Sequence, residues 1–201
     1  IRLNKIIMAI TKKYLSNKLR KETDLSLEDS SIFVDEFIYI LSKALNENDF
    51  VKISGFGTFQ KFNTKPRVGR NPVTMKEYQI PSKKKIKFLA SNASKNMLNW
   101  SFQMNNTKLN FNKSDLIFSL SRKLKLSESD ASEYLDYLLD EIITNIALEK
   151  RIEIRGFGVF SKKYIRPRKF INPRTKHVSY VGETVTMHFK PSNKLLNTSE
   201  K

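Results

Sequence analysis

The sequence has no cysteine, which excludes disulfides and thiol chemistry and agrees with a reducing compartment. Two histidines in 201 residues leave little room for a histidine-rich metal site. The longest apolar runs, such as residues 37–41, are far shorter than the roughly 18 residues that a membrane span needs. Acidic residues are also few, with 20 Asp and Glu against 37 Lys and Arg, a formal net charge of +17. This excess indicates a polyanionic partner, either nucleic acid or an anionic surface.

An internal repeat divides the chain. Residues 51–59 (VKISGFGTF) resemble residues 152–160 (IEIRGFGVF) at an offset of 101 positions, and the same offset holds over about 80 positions. We therefore predict two copies of one module, residues 8–99 and residues 112–201, joined by a linker at residues 100–111. Met8 resembles a translation start, so residues 1–7 are expected to lie upstream of the module, and the alternative is a basic targeting remnant.

Each copy has the pattern of two helices followed by strands. Thr11 and Asn112 are expected to cap the first helix, and Ser26 and Ser127 begin the second with a capping signal. The second helices have apolar residues on one face: Phe33, Phe37, Ile40, Leu41 and Leu45 in the first copy, and Leu135, Leu138, Leu139, Ile142 and Ile146 in the second. Alternating strands follow, and a short polar helix near Ser91 or Ser192 closes each copy. A module this small is only marginally stable alone, so we expect an α+β fold in which the two copies bury these helices against each other.

The two GFG sequences, at residues 55–57 and 156–158, are not predicted to bind phosphate. Neither copy has GxxxxGK[ST] or GxGxxG, and each GFG lies between two strand patterns. The glycines are expected to allow a sharp turn, and Phe56 and Phe157 are expected in the core.

Basic residues concentrate in two equivalent segments. Residues 60–79 carry a net charge of +4 and residues 161–180 carry +7, and each segment has Asn-Pro near its centre. A single charged run is commonly a solvated surface, but two runs at equivalent places favour two basic β-ribbons, or arms. Because proline cannot donate to a sheet ladder, Pro72 and Pro173 are expected at the tips, where an apolar wedge can enter between base pairs. The predicted DNA-binding residues of the arms are Lys61, Lys65, Arg67, Arg70, Asn71 and Lys76 in the first, and Lys162, Lys163, Arg166, Arg168, Lys169, Asn172, Arg174 and Lys176 in the second.

These motifs resemble the HU and integration host factor family of bacterial DNA-bending proteins. The resemblance is carried by GFGTF at residues 55–59, KPRVGRNPVT at residues 65–74, and Phe88. It implies an intertwined dimer, here within one chain, whose arms enter the minor groove of double-stranded DNA and whose tip prolines intercalate. It implies no enzymatic activity, cofactor, metal or membrane partner, and a place at the cytoplasmic nucleoid. It also implies phosphate contacts at the helix N-termini, at Thr11, Lys12, Ser91, Asn92, Asn112, Lys113, Ser192 and Asn193.

The second copy departs from the family pattern. Phe170-Ile171 stands where the first copy has Gly69-Arg70, and the family's tip glycine is Met75 in one copy and Lys176 in the other. The two arms are therefore expected to differ in behaviour. Three other functions fit less well. An RNA-binding protein needs aromatic platforms on the charged strands, but most aromatic residues here have core spacing. An enzyme needs clustered carboxylates near the arms, and residues 161–180 contain none, while a purely structural scaffold leaves the charge of the arms unexplained. The sequence does not distinguish sequence-specific from structure-specific or non-specific binding.

Overall fold

The structure is a computed structural model that describes residues 9–91, 111–171, 174 and 178–197, without the side chains of Phe170, Leu196 and Asn197. Two long antiparallel helical hairpins form one layer. The helices are α1 (Lys12–Glu22) and α2 (Leu27–Glu47) in the first module, and α3 (Lys113–Leu124), α4 (Glu128–Ala147) and the short α5 (Asn193–Asn197) in the second. All the helical core residues predicted from the sequence are buried. The short helix predicted after Ser91 lies outside the described residues.

Side-chain caps begin three of the four long helices. Ser26 accepts a hydrogen bond from the Asp29 N–H of α2 at 3.0 Å, and Ser127 does the same for Asp130 of α4. Asn112 forms a complete capping box with Asp115 in α3. Thr11 occupies the N-cap position of α1, but its side chain makes no capping hydrogen bond. The prediction that it caps was wrong, and the first copy has no aspartate equivalent to Asp115 to complete such a box.

Each module contributes a three-stranded antiparallel sheet and a distal two-stranded ribbon. The sheets have the strand orders β1-β2-β5 and β10-β7-β6, and the ribbons pair β3 with β4 and β8 with β9. The strands of the first module are β1 (Phe50–Ile53), β2 (Gly57–Asn63), β3 (Arg67–Arg70), β4 (Glu77–Ile80) and β5 (Lys84–Ala90). Those of the second are β6 (Ile152–Ile154), β7 (Gly158–Ile165), β8 (Arg168–Ile171), β9 (Val178–Val181) and β10 (Thr184–Pro191).

The GFG sequences form the turns that the sequence predicted. Gly55 and Gly156 adopt φ angles of +83° and +84°, a left-handed conformation that favours glycine. The turns direct Phe56 and Phe157 into the core, where each is 1% exposed.

The two modules share one core around a pseudo-two-fold axis. Ring pairs at equivalent positions mark this axis: Phe33 and Tyr134 have centroids 5.9 Å apart, and Phe59 and Phe160 have centroids 6.4 Å apart. Because Phe33 and Tyr134 lie on α2 and α4, the second helices do meet, as predicted. The chain thus forms an intramolecular pseudo-dimer.

The modules also exchange backbone hydrogen bonds. Ile10 forms a parallel bridge with Ile152 of the second module, and Phe111 forms the equivalent bridge with Val51 of the first. The Ile10 N–H donates to the Arg151 carbonyl at 2.7 Å. Phe111, the last residue of the predicted linker, is therefore part of the fold, and the other linker residues lie outside the described ranges. No helix within the described ranges is long and apolar enough to cross a membrane.

Candidate nucleic-acid interface

The tip of the first arm is a tight turn that carries Pro72. The Asn71 side-chain oxygen accepts hydrogen bonds from the N–H groups of Val73 and Thr74 at 2.9 and 3.3 Å. The Met75 N–H donates to the Asn71 carbonyl at 2.8 Å. Asn71 is therefore occupied in building the turn, and this turn leaves Pro72 exposed and Val73 87% exposed. The structure places Pro72 at the tip, whereas Asn172 and Pro173 lie outside the described residues.

Met75 is strained in this turn. Its φ angle is +55°, in the left-handed region, where a side chain costs roughly 1–2 kcal/mol. This is the position at which the family has glycine. The missing glycine thus leaves the turn in a conformation that methionine disfavours, and Lys176, at the equivalent position of the second arm, lies outside the described residues.

The basic residues of the first arm are mostly exposed. Lys65, Arg67 and Lys76 extend into solvent. Arg70 lies across the ribbon from Glu77, and its guanidinium is 3.4 Å from the Glu77 carboxylate. Because both side chains are more than half exposed, this ion pair contributes little stability and leaves Arg70 accessible.

Lys61 and Lys162 belong to the body of the protein, although the sequence analysis assigned them to the arms. Lys61 Nζ donates to the Asn46 carbonyl at 2.9 Å, and Lys162 Nζ donates to the Ala147 carbonyl at 3.2 Å. Both carbonyls lie at the C-terminal ends of long helices, where a cation complements the helix dipole. The two side chains are only 24% and 18% exposed. The arms leave the body after these residues.

The second arm presents a different set of exposed groups. Lys163 lies on β7, Arg168 and Lys169 lie on β8, and Arg166 lies between the two strands; all four are exposed, as is Arg174 near the tip. Lys169 Nζ lies 5.6 Å from the centre of the Tyr180 ring.

The strand that returns from the first tip carries basic residues that the sequence analysis missed. Lys83, Lys84, Lys85 and Lys87 are exposed, and all but Lys83 lie on β5 beside β2. The KKKIK run was visible in the sequence but lay beyond the segment considered. With the returning strand included, residues 60–90 have nine basic and one acidic residue, a net charge of +8, and residues 161–191 have eight and one, a net of +7.

The predicted phosphate sites at the helix N-termini are partly engaged within the protein. Lys12 forms an ion pair with Asp35, and Lys113 forms the equivalent pair with Asp136. The hydroxyls of Ser91 and Ser192 donate to the carbonyls of the GFG turns, Gly55 and Gly156. Thr11 and Asn193 are exposed, Asn112 caps α3, and Asn92 lies outside the described residues.

Aromatic side chains on the arms are more exposed than the sequence indicated. The sequence predicts most aromatic residues in the core, which is correct for the six phenylalanines around the sheet axis. Four others lie on arm strands and are between 39% and 77% exposed: Phe62, Tyr78, Tyr164 and Tyr180. The Tyr164 hydroxyl donates to Glu149, and this bond raises the pKa of Tyr164. The absence of aromatic platforms therefore no longer argues against RNA.

In the part of the chain that the structure describes, one histidine lies beside the arms. Within the described ranges, no group of three or more His, Cys, Asp or Glu residues could hold a metal ion. Partial desolvation of the His188 ring on β10, which keeps an exposed edge, and then the charges of Lys163 and Lys190 lower the pKa of His188. The arms therefore offer fixed positive charge, and His188 beside them is neutral at pH 7.

Comparison with known proteins matches both modules to one family. The profile of the family described as "Bacterial DNA-binding protein" matches twice, at residues 10–99 and residues 111–198. Integration host factor subunit alpha of Buchnera aphidicola subsp. Acyrthosiphon pisum is 36% identical over 92 residues, which are 46% of this chain and 90% of that protein. The subunit of the same name from Polaromonas naphthalenivorans is 38% identical over 90 residues, which are 45% of this chain and 73% of that protein.

The solved structures that resemble the chain include one titled an Anabaena HU-DNA cocrystal structure. Its TM-score is 0.39 at 23% sequence identity, and the match covers 42% of this chain and 91% of that one.

Proposed function

The chain belongs to the bacterial DNA-binding protein family, and from this premise we propose that it is an architectural protein that binds and bends double-stranded DNA without catalysing a reaction. The observation that carries the proposal is the pair of exposed basic ribbons, with net charges of +8 and +7, at equivalent places in a pseudo-symmetric body. Two such ribbons can contact one duplex on both sides of its axis. In the cell, this activity would serve nucleoid organisation.

Binding would be dominated by contacts to phosphates. Lysine and arginine side chains that neutralise phosphates release condensed counterions, so the affinity falls as salt rises. If the arms and the helix N-termini neutralise about eight phosphates, the plot of log K against log[salt] has a slope of roughly −7. A slope shallower than about −2 would contradict contact between the ribbons and the backbone.

Bending is assigned to the arm tips. Pro72 is exposed beside Val73, so the first tip presents an apolar group that has no partner in the turn itself. An apolar wedge in the minor groove can separate two base pairs and kink the duplex. The equivalent role is proposed for Pro173 on grounds of sequence.

The helix N-termini are proposed to hold the flanking phosphates. Lys12 and Lys113 already lie there, each paired with an aspartate of the following helix. Because Lys12 is partly exposed, its ammonium can contact a phosphate at a small cost in lost pairing.

The test is a bend assay on the full chain. Double substitution Pro72→Ala and Pro173→Ala is expected to reduce the bend, measured by energy transfer between dyes at the duplex ends, far more than it reduces affinity. The reason is that the phosphate contacts remain while the wedge is lost. Pro81→Ala is the matched control, since this exposed proline lies in the same arm between β4 and β5, away from the tip. Unchanged bending in the double variant would refute intercalation by these prolines.

Single-stranded RNA is a second candidate ligand, favoured by the exposed aromatic residues of the arms. Stacking of bases on aromatic rings is the usual mode of single-strand recognition. A competition assay between a DNA duplex and an RNA strand of equal charge distinguishes the two ligands. We expect the protein to bind the DNA duplex more tightly, and Tyr180→Ser to have little effect on the affinity for the duplex.

A further inference from the structure

The helical interface between the two modules has symmetric backbones but asymmetric charge. On one side, Lys123 of α3 forms an ion pair with Glu36 of α2, and its Nζ lies 4.2 Å from the centre of the Tyr39 ring. The Glu36 side chain is 24% exposed and that of Lys123 is 44% exposed. One module thus supplies the cation and the other supplies the carboxylate and the ring.

The equivalent place on the other side of the axis holds different chemistry. At the offset of 101 residues, Glu22 of α1 corresponds to Lys123, and Tyr137 of α4 corresponds to Glu36. Burial of Tyr137, then the charges of Glu22 and Glu141 and a side-chain hydrogen bond to Glu22, raise the pKa of Tyr137 to about 12. A carboxylate and a neutral phenol therefore meet where the first side has an ion pair.

We propose that these contacts make the helical face of the first module select the second module and reject a second copy of itself. If two first modules paired in the same geometry, Glu22 of each would lie against Glu36 of the other. Two carboxylate pairs would then replace one ion pair and one contact between a carboxylate and a neutral phenol. Juxtaposed like charges at a partly buried interface disfavour the wrong partner.

A second asymmetric contact also favours pairing of the first module with the second. The Tyr14 hydroxyl lies 3.5 Å from Asn145 Oδ1, and Lys150 Nζ donates to the same oxygen at 3.2 Å. In a pair of first modules, the residues facing Tyr14 would be Ala44 and Asp49, the equivalents of Asn145 and Lys150. The tyrosine would lose Asn145 as an acceptor, and a carboxylate, Asp49, would stand in place of the ammonium of Lys150.

If two first modules do not pair with each other, like pairing is disfavoured for the second modules as well. Each chain carries one module of each kind, so every pair of second modules leaves two first modules that must also pair. The interface therefore favours closure of one chain on itself over chains that join like with like.

The test removes the tether, because a short linker would favour closure whatever the interface selects. A protease site is placed between residues 100 and 110 of the full chain, and the folded protein is cut. The two halves are unfolded together, refolded and counted by native mass spectrometry. We expect the mixed pair to exceed the random proportion, half of all pairs, with like pairs of the first module reduced about tenfold or more. A random mixture would overturn the proposal.

Variants locate the selectivity. Glu22→Lys should raise like pairing of the first module at least fivefold, because the introduced ammonium would then meet Glu36. Glu77→Lys, the same change on the exposed ribbon strand β4, is the matched control and should change nothing in the pairing. If the cut halves do not refold, the same contact is tested in the intact chain. Lys123→Glu should lower the unfolding midpoint, and the double variant Lys123→Glu with Glu36→Lys should restore it. Failure of this rescue would also overturn the proposal.

Discussion

In the first arm the strand returning to the body is basic, with Lys84, Lys85 and Lys87, whereas the second arm has Val185, Thr186 and His188 at the equivalent positions. The second arm instead carries charge on its outgoing strands, where Lys163 and Lys169 replace Phe62 and Val68 of the first. The net charges, +8 and +7, remain nearly equal. Since counterion release depends on how many phosphates are neutralised, this comparison predicts similar contributions to affinity from differently arranged arms.

The faces of the distal ribbons differ more than their charge does. Near the first tip, Arg70 pairs with Glu77 across the strands, while the equivalent pair in the second arm is Ile171 and Val178, both exposed. A guanidinium can enter a narrow minor groove and donate to base edges, which aliphatic side chains cannot do. Shape discrimination is therefore expected to reside in the first arm.

The largest effect is expected from removing three charges in either arm. Changing Lys84, Lys85 and Lys87 to Gln should weaken duplex binding about 100-fold at moderate salt and make the salt slope shallower by roughly 2 to 3. The matched set in the second arm, Lys163, Arg166 and Arg168 to Gln, should have the same effect within a few-fold. Fluorescence titration at several salt concentrations measures both. Lys21→Gln with Lys43→Gln, both on helices, is the control. If only one of the two triple variants lost affinity, the prediction that the arms contribute similarly to affinity would be wrong.

A smaller effect is expected when one arginine of each arm is removed, and it distinguishes overall affinity from preference between duplexes. Arg70→Ala is expected to reduce the preference between AT-rich and GC-rich duplexes by about 1 kcal/mol or more, because its guanidinium is the group proposed to read groove shape. Arg168→Ala should weaken binding about equally on both duplexes. Titration of both variants against duplexes of equal length decides the matter. The roles are reversed if Arg168→Ala changes the preference and Arg70→Ala lowers affinity uniformly.

The sequence predicted those features that depend on local periodicity. The apolar faces of α2 and α4, the GFG turns and the position of Pro72 follow from spacing and from the backbone limits of glycine and proline. It did not predict where the arms begin. Lys61 looks like an arm residue in the sequence, and only the packing of β2 beside the end of α2 places its ammonium on the Asn46 carbonyl.

Long-range pairing was also beyond the sequence. The bridges of Ile10 with Ile152 and of Phe111 with Val51 join segments that are distant in the chain and carry no local signal. Likewise, the contact of Arg70 with Glu77 depends on the register of β3 and β4. For this reason the repeat revealed two modules, while the asymmetry of their interface required the structure.

The smallest effect concerns pH and the second arm alone. His188 has a lowered pKa, chiefly through partial desolvation of its ring and also through the charges of Lys163 and Lys190. The folded protein thus disfavours the imidazolium, so this residue contributes stability above its ordinary pKa of 6.5 that is lost as pH falls below that value. Bound phosphates would offset the lysine charges and raise this pKa, so DNA affinity should rise by a few-fold between about pH 7.5 and 5.5.

His188→Gln should abolish this rise, as measured by titration at constant ionic strength. His177→Gln, in the same arm, is the control and should retain it. The first arm has Lys87 in place of His188 and should show no such dependence. An equal rise in the wild type and in His188→Gln would assign the proton uptake elsewhere.

The central claim is that one chain supplies both arms of a DNA-bending unit. A duplex with a donor dye at one end and an acceptor at the other, titrated with the full 23.5 kDa chain above the dissociation constant, tests it most directly. The account predicts that energy transfer rises and reaches its plateau at one chain per duplex. A plateau reached only at two chains per duplex, or binding with no change in transfer, would contradict it.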